Sequence, residues 1–281
     1  MRNYGDEYPF GDMSEDLAAD FVIGNFEGTI PEVHKQTPDL TFSFSVATEY
    51  INRLVDAGFT HVSLANNHAQ DYGQAAYTHS VTTLVEHGLI PFGEPKAAAT
   101  SSITYVSDYR GSTTALVALE FTDATYSSRD LASLLQKATA SSDRQVVYVH
   151  WGTEYAEKRS GFQRETAEQL VANGADLIIG HHPHVVQDID VIHGVLVFYS
   201  LGNFVFDQYF SDEVQMGLVV TETTSGKGYE YALTPVTSIG SRGMPRVMAP
   251  FERSRFLEAL AKRSDPVLYD QVISGSIDMP K

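Results

Sequence analysis

The chain has 281 residues, a formal net charge of −17 and no cysteine, and 43% of its residues are hydrophobic. This length and hydrophobic content are sufficient for a substantial folded core. The acidic charge argues against nucleic acid as a partner, because binding to phosphate backbones depends on clustered Lys and Arg. Without cysteine there are no disulfides or thiolate ligands, so any metal site would use His, Asp, Glu or Asn side chains.

The first half of the sequence alternates short apolar runs with segments of helical periodicity. We predict strands at 21–23, 59–64, 103–106 and 114–121, and helices at 48–57, 74–87 and 129–140. Gly58 and Gly88 follow two of these helices and fit their C-terminal ends. A turn at 108–111 would join two of the strands into an antiparallel hairpin.

The second half continues the alternation. We predict strands at 145–149, 177–179 and 195–199, a helix at 165–172, a strand pair at 216–222 and 229–239, and a last helix at 251–262. We expect the polar tail after this helix to fray. No linker divides the chain, which predicts a single domain over 1–281, with a motif core at 20–207 and a C-terminal strand pair and helix within 208–281.

Polar residues follow the predicted strands in five places. The clusters are Asn25 with Glu27; Asn67, His68 and Asp71; His150 with Glu154; His181, His182 and His184; and Asn203 with Asp207. Buried parallel sheets place their chemistry beyond the carboxyl ends of their strands, so we expect these clusters to converge.

Imidazole, carboxylate and amide oxygen together are the donors that Zn²⁺, Mn²⁺ and Fe²⁺ accept. Each cluster alone also has a structural explanation: Asn67 and Asn203 can serve local turns, and a strand-end histidine such as His150 can bond to backbone groups. Glu27 alone could be a solvated carboxylate. Taken together the five clusters favour a centre with two divalent metals, because independent strand ends would otherwise have to supply these residues by chance.

Two other enzyme classes fit less well. Ser200 lacks the Gly-x-Ser-x-Gly elbow of a serine hydrolase. The sequence also has no glycine-rich phosphate loop followed by Lys-Ser/Thr, which argues against a P-loop nucleotide site.

Five segments resemble the motifs of the bacterial CapA family, which is named for capsule and poly-γ-glutamate synthesis. They are GNFEG (24–28), NNHAQDYG (66–73), HWGTEY (150–155), GHHPHVVQ (180–187) and YSLGNFVFD (199–207), and they occur in the family's order. The resemblance implies kinship with the calcineurin-like metallophosphoesterases, whose fold is a four-layer α/β/β/α sandwich with a two-metal centre.

The same resemblance implies roles for individual residues. Metal ligands would be Glu27, Asn67, His150, His182 and His184, with His181 replacing His182 if the register differs by one residue. His68 would be the catalytic acid. Substrate-binding or supporting positions would be Asn25, Asp71, Glu154, His181 and Asn203.

One feature of the family has no clear counterpart in the sequence. The family's first strand ends in a Gly-Asp whose Asp is a metal ligand, and it would precede the region of residues 8–10. Gly5-Asp6 and Gly11-Asp12 lack an apolar run before them. We therefore expect that this strand lies upstream of the sequence or that the metal centre is incomplete.

The resemblance leaves two functions open. One is a metal-dependent hydrolase of the phosphoesterase type, acting on a phosphoester or an anionic envelope polymer. The other is a non-catalytic accessory subunit that binds the polymer or a membrane synthetase. Either would place the protein in the cell envelope or on the outer face of a bacterium.

Overall fold

The computed structural model describes residues 9–10, 13, 16–34, 42–96, 103–107, 111–241 and 243–280. The chain divides into two compact units, Ser14–His150 (the N-terminal unit) and Met1–Met13 with Trp151–Lys281 (the C-terminal unit). A compact unit need not fold independently, so the single domain over 1–281 stays a prediction. The Gly5-Asp6 and Gly11-Asp12 pairs and most of the expected turn at 108–111 lie outside the described residues.

The N-terminal unit combines two sheets with helices. Its strands are β1 (Ile23–Asn25), β2 (His61–Ser63), β3 (Ile90–Phe92), β4 (Ile103–Ser107), β5 (Thr113–Glu120) and β6 (Arg144–His150). Its helices are α1 (Ile51–Asp56), α2 (Gly73–Glu86) and α3 (Ser128–Thr139), with a 3-10 turn at Thr48–Tyr50 before α1. Strands β1, β2 and β3 form a parallel sheet in chain order, while β4 pairs antiparallel with β5, and β5 pairs parallel with β6.

Local sequence signals explain where these elements begin and end. Gly58 and Gly88 follow α1 and α2 with positive φ angles of 94° and 86°. That conformation strains residues with a Cβ, so glycine is favoured there. Helix α3 begins with a capping box in which Ser127 and Asp130 satisfy each other's backbone N–H groups.

The core of the N-terminal unit lies between the β1–β2–β3 sheet and the helices. It comprises Phe26, Ile30, Ile51, Val62, Leu64, Ala69, Leu84 and Leu89. Several of these residues directly flank the polar clusters after β1 and β2. Close packing therefore holds the loops that present those polar side chains.

The C-terminal unit contains the remaining elements. They are α4 (Gly161–Ala172), β7 (Leu177–His181), β8 (Ile189–Ile192), β9 (Val195–Phe198), β10 (Met216–Ser225), β11 (Gly228–Thr237), β12 (Arg246–Val247), α5 (Pro250–Arg263), α6 (Tyr269–Ser274) and β13 (Ser276–Pro280). Short 3-10 turns occupy Glu213–Gln215 and Pro266–Leu268. Strand β9 pairs parallel with β7 and antiparallel with β8, and β11 pairs antiparallel with β10, β12 and β13.

The structure corrects two expectations in this unit and adds elements that were not predicted. The tail does not fray, because β13 pairs with β11 from Gly228↔Pro280 to Ala232↔Ser276. Strands β8, β12 and β13 and helix α6 were not predicted. Helix α4 begins at Gly161 rather than residue 165, because Ser160 and Gln163 form a capping box at its start.

The fold is mixed α/β with several sheets and helices, as the sequence predicts. In the part of the chain that the structure describes, no helix has both the length and the apolar character needed to cross a membrane.

Candidate metal-binding residues

Asn25 and Glu27 lie two residues apart at the end of β1. Asn25 is the last residue of the strand, and its Nδ2 donates a hydrogen bond of 3.0 Å to Oε2 of Glu27. The predicted strand ended two residues earlier, so the structure places Asn25 on the sheet itself. The amide thereby holds the carboxylate of Glu27 against the strand end.

Asn66 organises the loop after β2, although the sequence analysis favoured its neighbour Asn67. The Asn66 side chain is fully buried. Its Nδ2 donates to Asn25 Oδ1 at 3.1 Å and to the Phe26 carbonyl at 3.0 Å, and its Oδ1 accepts from the His68 backbone N–H at 3.1 Å. The Asn-Asn pair was the available signal, but only the fold shows which member bridges β1 and β2.

His68 and Asp71 form a close pair within the same loop. The Nδ1 of His68 lies 2.8 Å from Asp71 Oδ2, and the Phe44 backbone N–H donates to that oxygen at 2.7 Å. The Phe44 ring packs 4.3 Å from the His68 ring, measured between centroids. A carboxylate acceptor keeps the proton of a neutral imidazole on Nδ1, which leaves Nε2 for chemistry.

Asn67 and His150 are brought together from distant parts of the sequence. His150 ends β6 and is 1% exposed, and its Nε2 lies 2.8 Å from Asn67 Oδ1. These two residues were predicted as metal ligands from separate clusters. Their contact within the N-terminal unit places an imidazole nitrogen beside an amide oxygen.

The histidine cluster of the C-terminal unit begins at the last residue of β7. His181 completes the strand, and the chain then turns through His182 and His184, whose φ angles are 98° and 58°. Positive φ is uncommon for residues other than glycine and is found often at functional sites. The turn is fixed from outside by the Tyr155 backbone N–H, which donates to the Pro183 carbonyl at 2.7 Å.

His184 is held by Asn203, which lies in the strand-end turn after β9 and was predicted only as a substrate-binding or supporting position. The Nδ1 of His184 lies 3.0 Å from Asn203 Oδ1, and Asn203 Nδ2 donates to the Val214 carbonyl at 2.9 Å. The Phe206 ring centroid is 4.8 Å from that of His184. A bond at Nδ1 leaves Nε2 as the nitrogen of His184 that can bind a cation.

The histidines of this cluster differ in their surroundings. Burial lowers the pKa of His181 to about 4, so its imidazole is neutral at neutral pH. The ring centroids of His182 and His184 are 6.1 Å apart.

Glu154, which was predicted as a substrate-binding or supporting position, is exposed, and its carboxylate makes no hydrogen bond or ion pair within the described residues.

Among the described residues, no group of three or more His, Asp or Glu side chains is arranged to hold a metal ion. His150 and His184 each contact an amide oxygen instead, in the pairs Asn67–His150 and Asn203–His184. The ligand roles from the sequence analysis therefore stay predictions.

Comparison with known proteins gives the family. The protein-family model described as "Bacterial capsule synthesis protein PGA_cap" matches residues 1–208. The chain is 32% identical over 242 residues to the "Capsule biosynthesis protein CapA" of Bacillus anthracis, covering 78% of this chain and 58% of that protein. It is 30% identical over 269 residues to the "PGA biosynthesis protein CapA" of Bacillus subtilis, covering 88% of this chain and 69% of that protein.

A more distant relative is a "Probable polyglutamine synthesis accessory protein" of Mycobacterium tuberculosis, 22% identical over 274 residues, with 82% of this chain and 70% of that protein covered. The chain spans under two thirds of the length of the B. anthracis relative.

Two solved structures show a weak likeness. A hypothetical protein from Thermus thermophilus gives a TM-score of 0.47 at 17% identity, covering 84% of this chain and 90% of that one. A protein from Staphylococcus aureus described as a "Putative 5'-Nucleotidase" gives a TM-score of 0.45 at 15% identity, covering 63% of this chain and 37% of that one.

Proposed function

Because the chain belongs to the family of bacterial capsule synthesis proteins described as PGA_cap, we propose that it is a divalent-metal-dependent hydrolase of the phosphoesterase type. Its role would lie in the synthesis of an envelope polymer such as a capsule or poly-γ-glutamate. The observation that supports this proposal most directly is the contact between Asn67 and His150, 2.8 Å apart at the ends of separate elements.

The proposed donors fit a borderline divalent cation by their chemistry. The N-terminal unit offers Glu27, Asn67 and His150, and the C-terminal unit offers His182 and His184. Neutral imidazole, amide oxygen and carboxylate are the ligands that Mn²⁺, Zn²⁺ and Fe²⁺ accept in proteins. The left-handed backbone at His182 and His184 agrees with a functional turn, since such conformations persist where the surroundings impose them.

A pair of divalent cations, when bound, would lower the pKa of a coordinated water from 15.7 to about 7 and so provide hydroxide at neutral pH. The chain's own contribution is proton transfer and orientation. Asp71 holds Nδ1 of His68, so Nε2 is the atom that can carry a proton to the leaving group of the substrate. Asn66 fixes the backbone at His68 through its own amide oxygen.

The proposed substrate is a phosphoester or a γ-glutamyl polymer. The name of the B. subtilis relative refers to the biosynthesis of PGA, which agrees with the second of these. Both candidates are anionic, while the chain carries a net charge of −17. Bound divalent cations would offset this repulsion locally.

The test combines metal analysis with an activity screen on the full chain. Metal content is measured by elemental analysis after incubation with Mn²⁺ or Zn²⁺, and hydrolysis is followed on a bis-aryl phosphodiester and on poly-γ-glutamate. We expect His150→Ala and the pair His182→Ala/His184→Ala to lose metal and turnover. The matched control is His193→Asn, because His193 is exposed in a turn with φ of 50° that Asn tolerates.

We further expect His68→Ala to keep its metal but lose turnover by roughly 10²–10⁴-fold, the usual contribution of a general acid. The proposal would be contradicted if divalent metals did not change the rate at which the wild-type chain hydrolyses either substrate.

A second function is favoured by the name of one relative. The M. tuberculosis relative is named an accessory protein, which agrees with a non-catalytic subunit that binds the polymer or a membrane synthetase. Polymer binding that survives His150→Ala, in a chain without metal-dependent turnover, would favour this function.

A further inference from the structure

Tyr155 is a residue to which the sequence analysis assigned no role, although it ends the HWGTEY segment. Its φ angle is 64°. Positive φ is a strained conformation for a bulky residue and persists only where the surroundings impose it. Five described residues other than glycine have positive φ, and Tyr155, His182 and His184 are three of them. The strain therefore concentrates on this tyrosine and on the histidine turn.

Two contacts join Tyr155 to the histidine turn. Its backbone N–H donates to the Pro183 carbonyl at 2.7 Å. Its ring stacks on the imidazole of His184, with centroids 6.0 Å apart and planes inclined by 27°. The His184 residue is only 4% exposed, and the Phe206 ring packs 4.8 Å from its imidazole. Two aromatic rings therefore contact the imidazole and restrict its rotation.

Gln208 links Tyr155 to Asn203. Gln208 Nε2 donates to the Tyr155 hydroxyl at 3.2 Å, and Gln208 Oε1 accepts from Asn203 Nδ2 at 3.4 Å. The same Nδ2 group also donates to the Val214 carbonyl at 2.9 Å. Because both acceptors lie on the NH₂ side of the Asn203 amide, its Oδ1 is directed at His184 Nδ1, 3.0 Å away.

These contacts form a closed loop of four side chains, which we name the His184 clasp. The loop runs from His184 to Asn203, then to Gln208, then to Tyr155 and back to His184. All four residues belong to the C-terminal unit. Gln208 contacts both Asn203 and Tyr155, so its removal would open the clasp at two places.

We infer that Tyr155 and Gln208 are positioning residues for His184, because together with Asn203 they hold its imidazole in one orientation and leave Nε2 for a divalent cation. The contacts are observed, and the inference is that they set the affinity for the cation. It rests on the proposed function, since His184 binds a cation only there. Partners of a ligating histidine orient its ring, and their loss typically weakens metal binding by about 10–100-fold.

Gln208→Met opens the clasp with little change in side-chain volume. Methionine lacks the amide, so the hydrogen bonds to Tyr155 and Asn203 are lost. The matched control is Gln271→Met in the same unit, which removes the hydrogen bond that the Asp278 N–H donates to Gln271 Oε1 at 2.8 Å. Both variants lose a bonded amide, so a difference between them reports on the clasp.

Two readouts are measured on the full chain. Carbon-13 relaxation gives the order parameter of the His184 ring without metal, and titration calorimetry gives the affinity for Zn²⁺. We expect Gln208→Met to lower the order parameter towards the flexible range, below about 0.6, and to bind Zn²⁺ about 10–100-fold more weakly. Gln271→Met should match the wild type in both. Wild-type ring order or wild-type affinity in Gln208→Met would overturn the inference.

Two further variants separate positioning from a merely structural role. Gln208→Glu should rescue the ring order, because its carboxylate can accept from Asn203 Nδ2 and from the Tyr155 hydroxyl. Tyr155→Phe keeps the ring on His184 but loses the bond to Gln208, so ring order should fall less than in Gln208→Met. Ring order in Gln208→Glu as low as in Gln208→Met would count against the clasp.

The inference and the proposed function can fail separately. If the wild type binds no Zn²⁺, the proposed function fails, while the ring order of His184 still decides whether the clasp holds the imidazole. If the wild type binds Zn²⁺ and Gln208→Met keeps its ring order, the proposed function stands and the clasp is excluded. Thermal unfolding confirms that each variant is folded, and Tyr155→Phe replaces Gln208→Met if the latter does not fold.

Discussion

Gly180 shows how a single residue brings the histidine turn close to the neighbouring strand. A Cβ at this position would lie 2.0 Å from the Tyr199 carbonyl oxygen and 2.6 Å from Trp151 Nε1. Trp151 Nε1 itself donates to the Tyr199 carbonyl at 2.9 Å. Only a residue without a side chain allows β7 to approach this buried hydrogen bond immediately before His181.

We therefore predict that Gly180→Ala lowers the free energy of unfolding by about 1–3 kcal/mol, the usual effect of forcing extra volume into a packed site. Urea unfolding measures the change. Gly161→Ala is the matched control, because a Cβ there meets nothing within 4 Å and Gly161 opens α4. Replacing glycine by alanine at an unstrained helical site is expected to be neutral or stabilising. Equal stability of the two variants would contradict the close approach.

At the residue scale the sequence singled out individual side chains but not their partners. The histidines after an apolar strand were predicted as metal ligands, and the structure places His182 and His184 in a turn with positive φ angles; their role as ligands stays a prediction. Asn66 was missed because its importance depends on partners supplied by other elements. The Asn66 amide joins two strand ends. This relation has no periodic signal in the sequence.

At the scale of elements, long amphipathic helices and apolar strands were predictable because their periodicity is local. Helix α2 spans Gly73–Glu86 against an expected 74–87, and β9 spans Val195–Phe198 against 195–199. Strand β13 was missed because it is short, ends in a proline and is stabilised by pairing with β11, which is far away in the sequence. Tertiary pairing outweighs local propensity at such edge positions.

The junction of β12 with α5 gives a prediction about pH. Arg246 donates from Nη1 and Nη2 to the two oxygens of Glu252 at 2.7 and 2.8 Å, and the Ala249 N–H donates to Oε2 at 2.8 Å. The Arg246 guanidinium, with the Ala249 amide adding to it, lowers the pKa of Glu252 to about 2. Because the folded pKa lies below the unfolded one, this carboxylate stabilises the fold above the unfolded pKa and loses its effect as pH falls towards 2.

We expect the wild type to melt at a higher temperature than Glu252→Gln at neutral pH, with the difference shrinking as pH falls from about 4.5 to about 2. Calorimetry at several pH values measures it. The control is Glu165→Gln on α4, which changes an exposed carboxylate with no hydrogen bond or ion pair among the described residues. A melting difference for Glu252→Gln that stays constant across this range would exclude the Arg246–Glu252 pair as its source.

For the whole molecule, the net charge of −17 opposes the approach of an anionic polymer, whichever function applies. Lys and Arg together number 19 against 36 Asp and Glu residues, so the long-range field is repulsive even if individual contacts are favourable. Proteins that grip polyanions through clustered cations lose affinity as salt is added. Here repulsion should dominate at low salt, and screening should relieve it.

We therefore predict that binding of poly-γ-glutamate, measured without divalent cations, strengthens as ionic strength rises from about 0.01 M to about 0.1 M, where the Debye length falls from about 30 Å to about 10 Å. Adding Mn²⁺ at low salt should strengthen binding further in the wild type but less in His182→Ala/His184→Ala, because cations at the proposed ligands would bridge the protein and the polymer. Polylysine of similar length serves as the control, since its binding should weaken with salt. Weakening of poly-γ-glutamate binding by salt would instead mean that a local cluster of cations outweighs the overall charge.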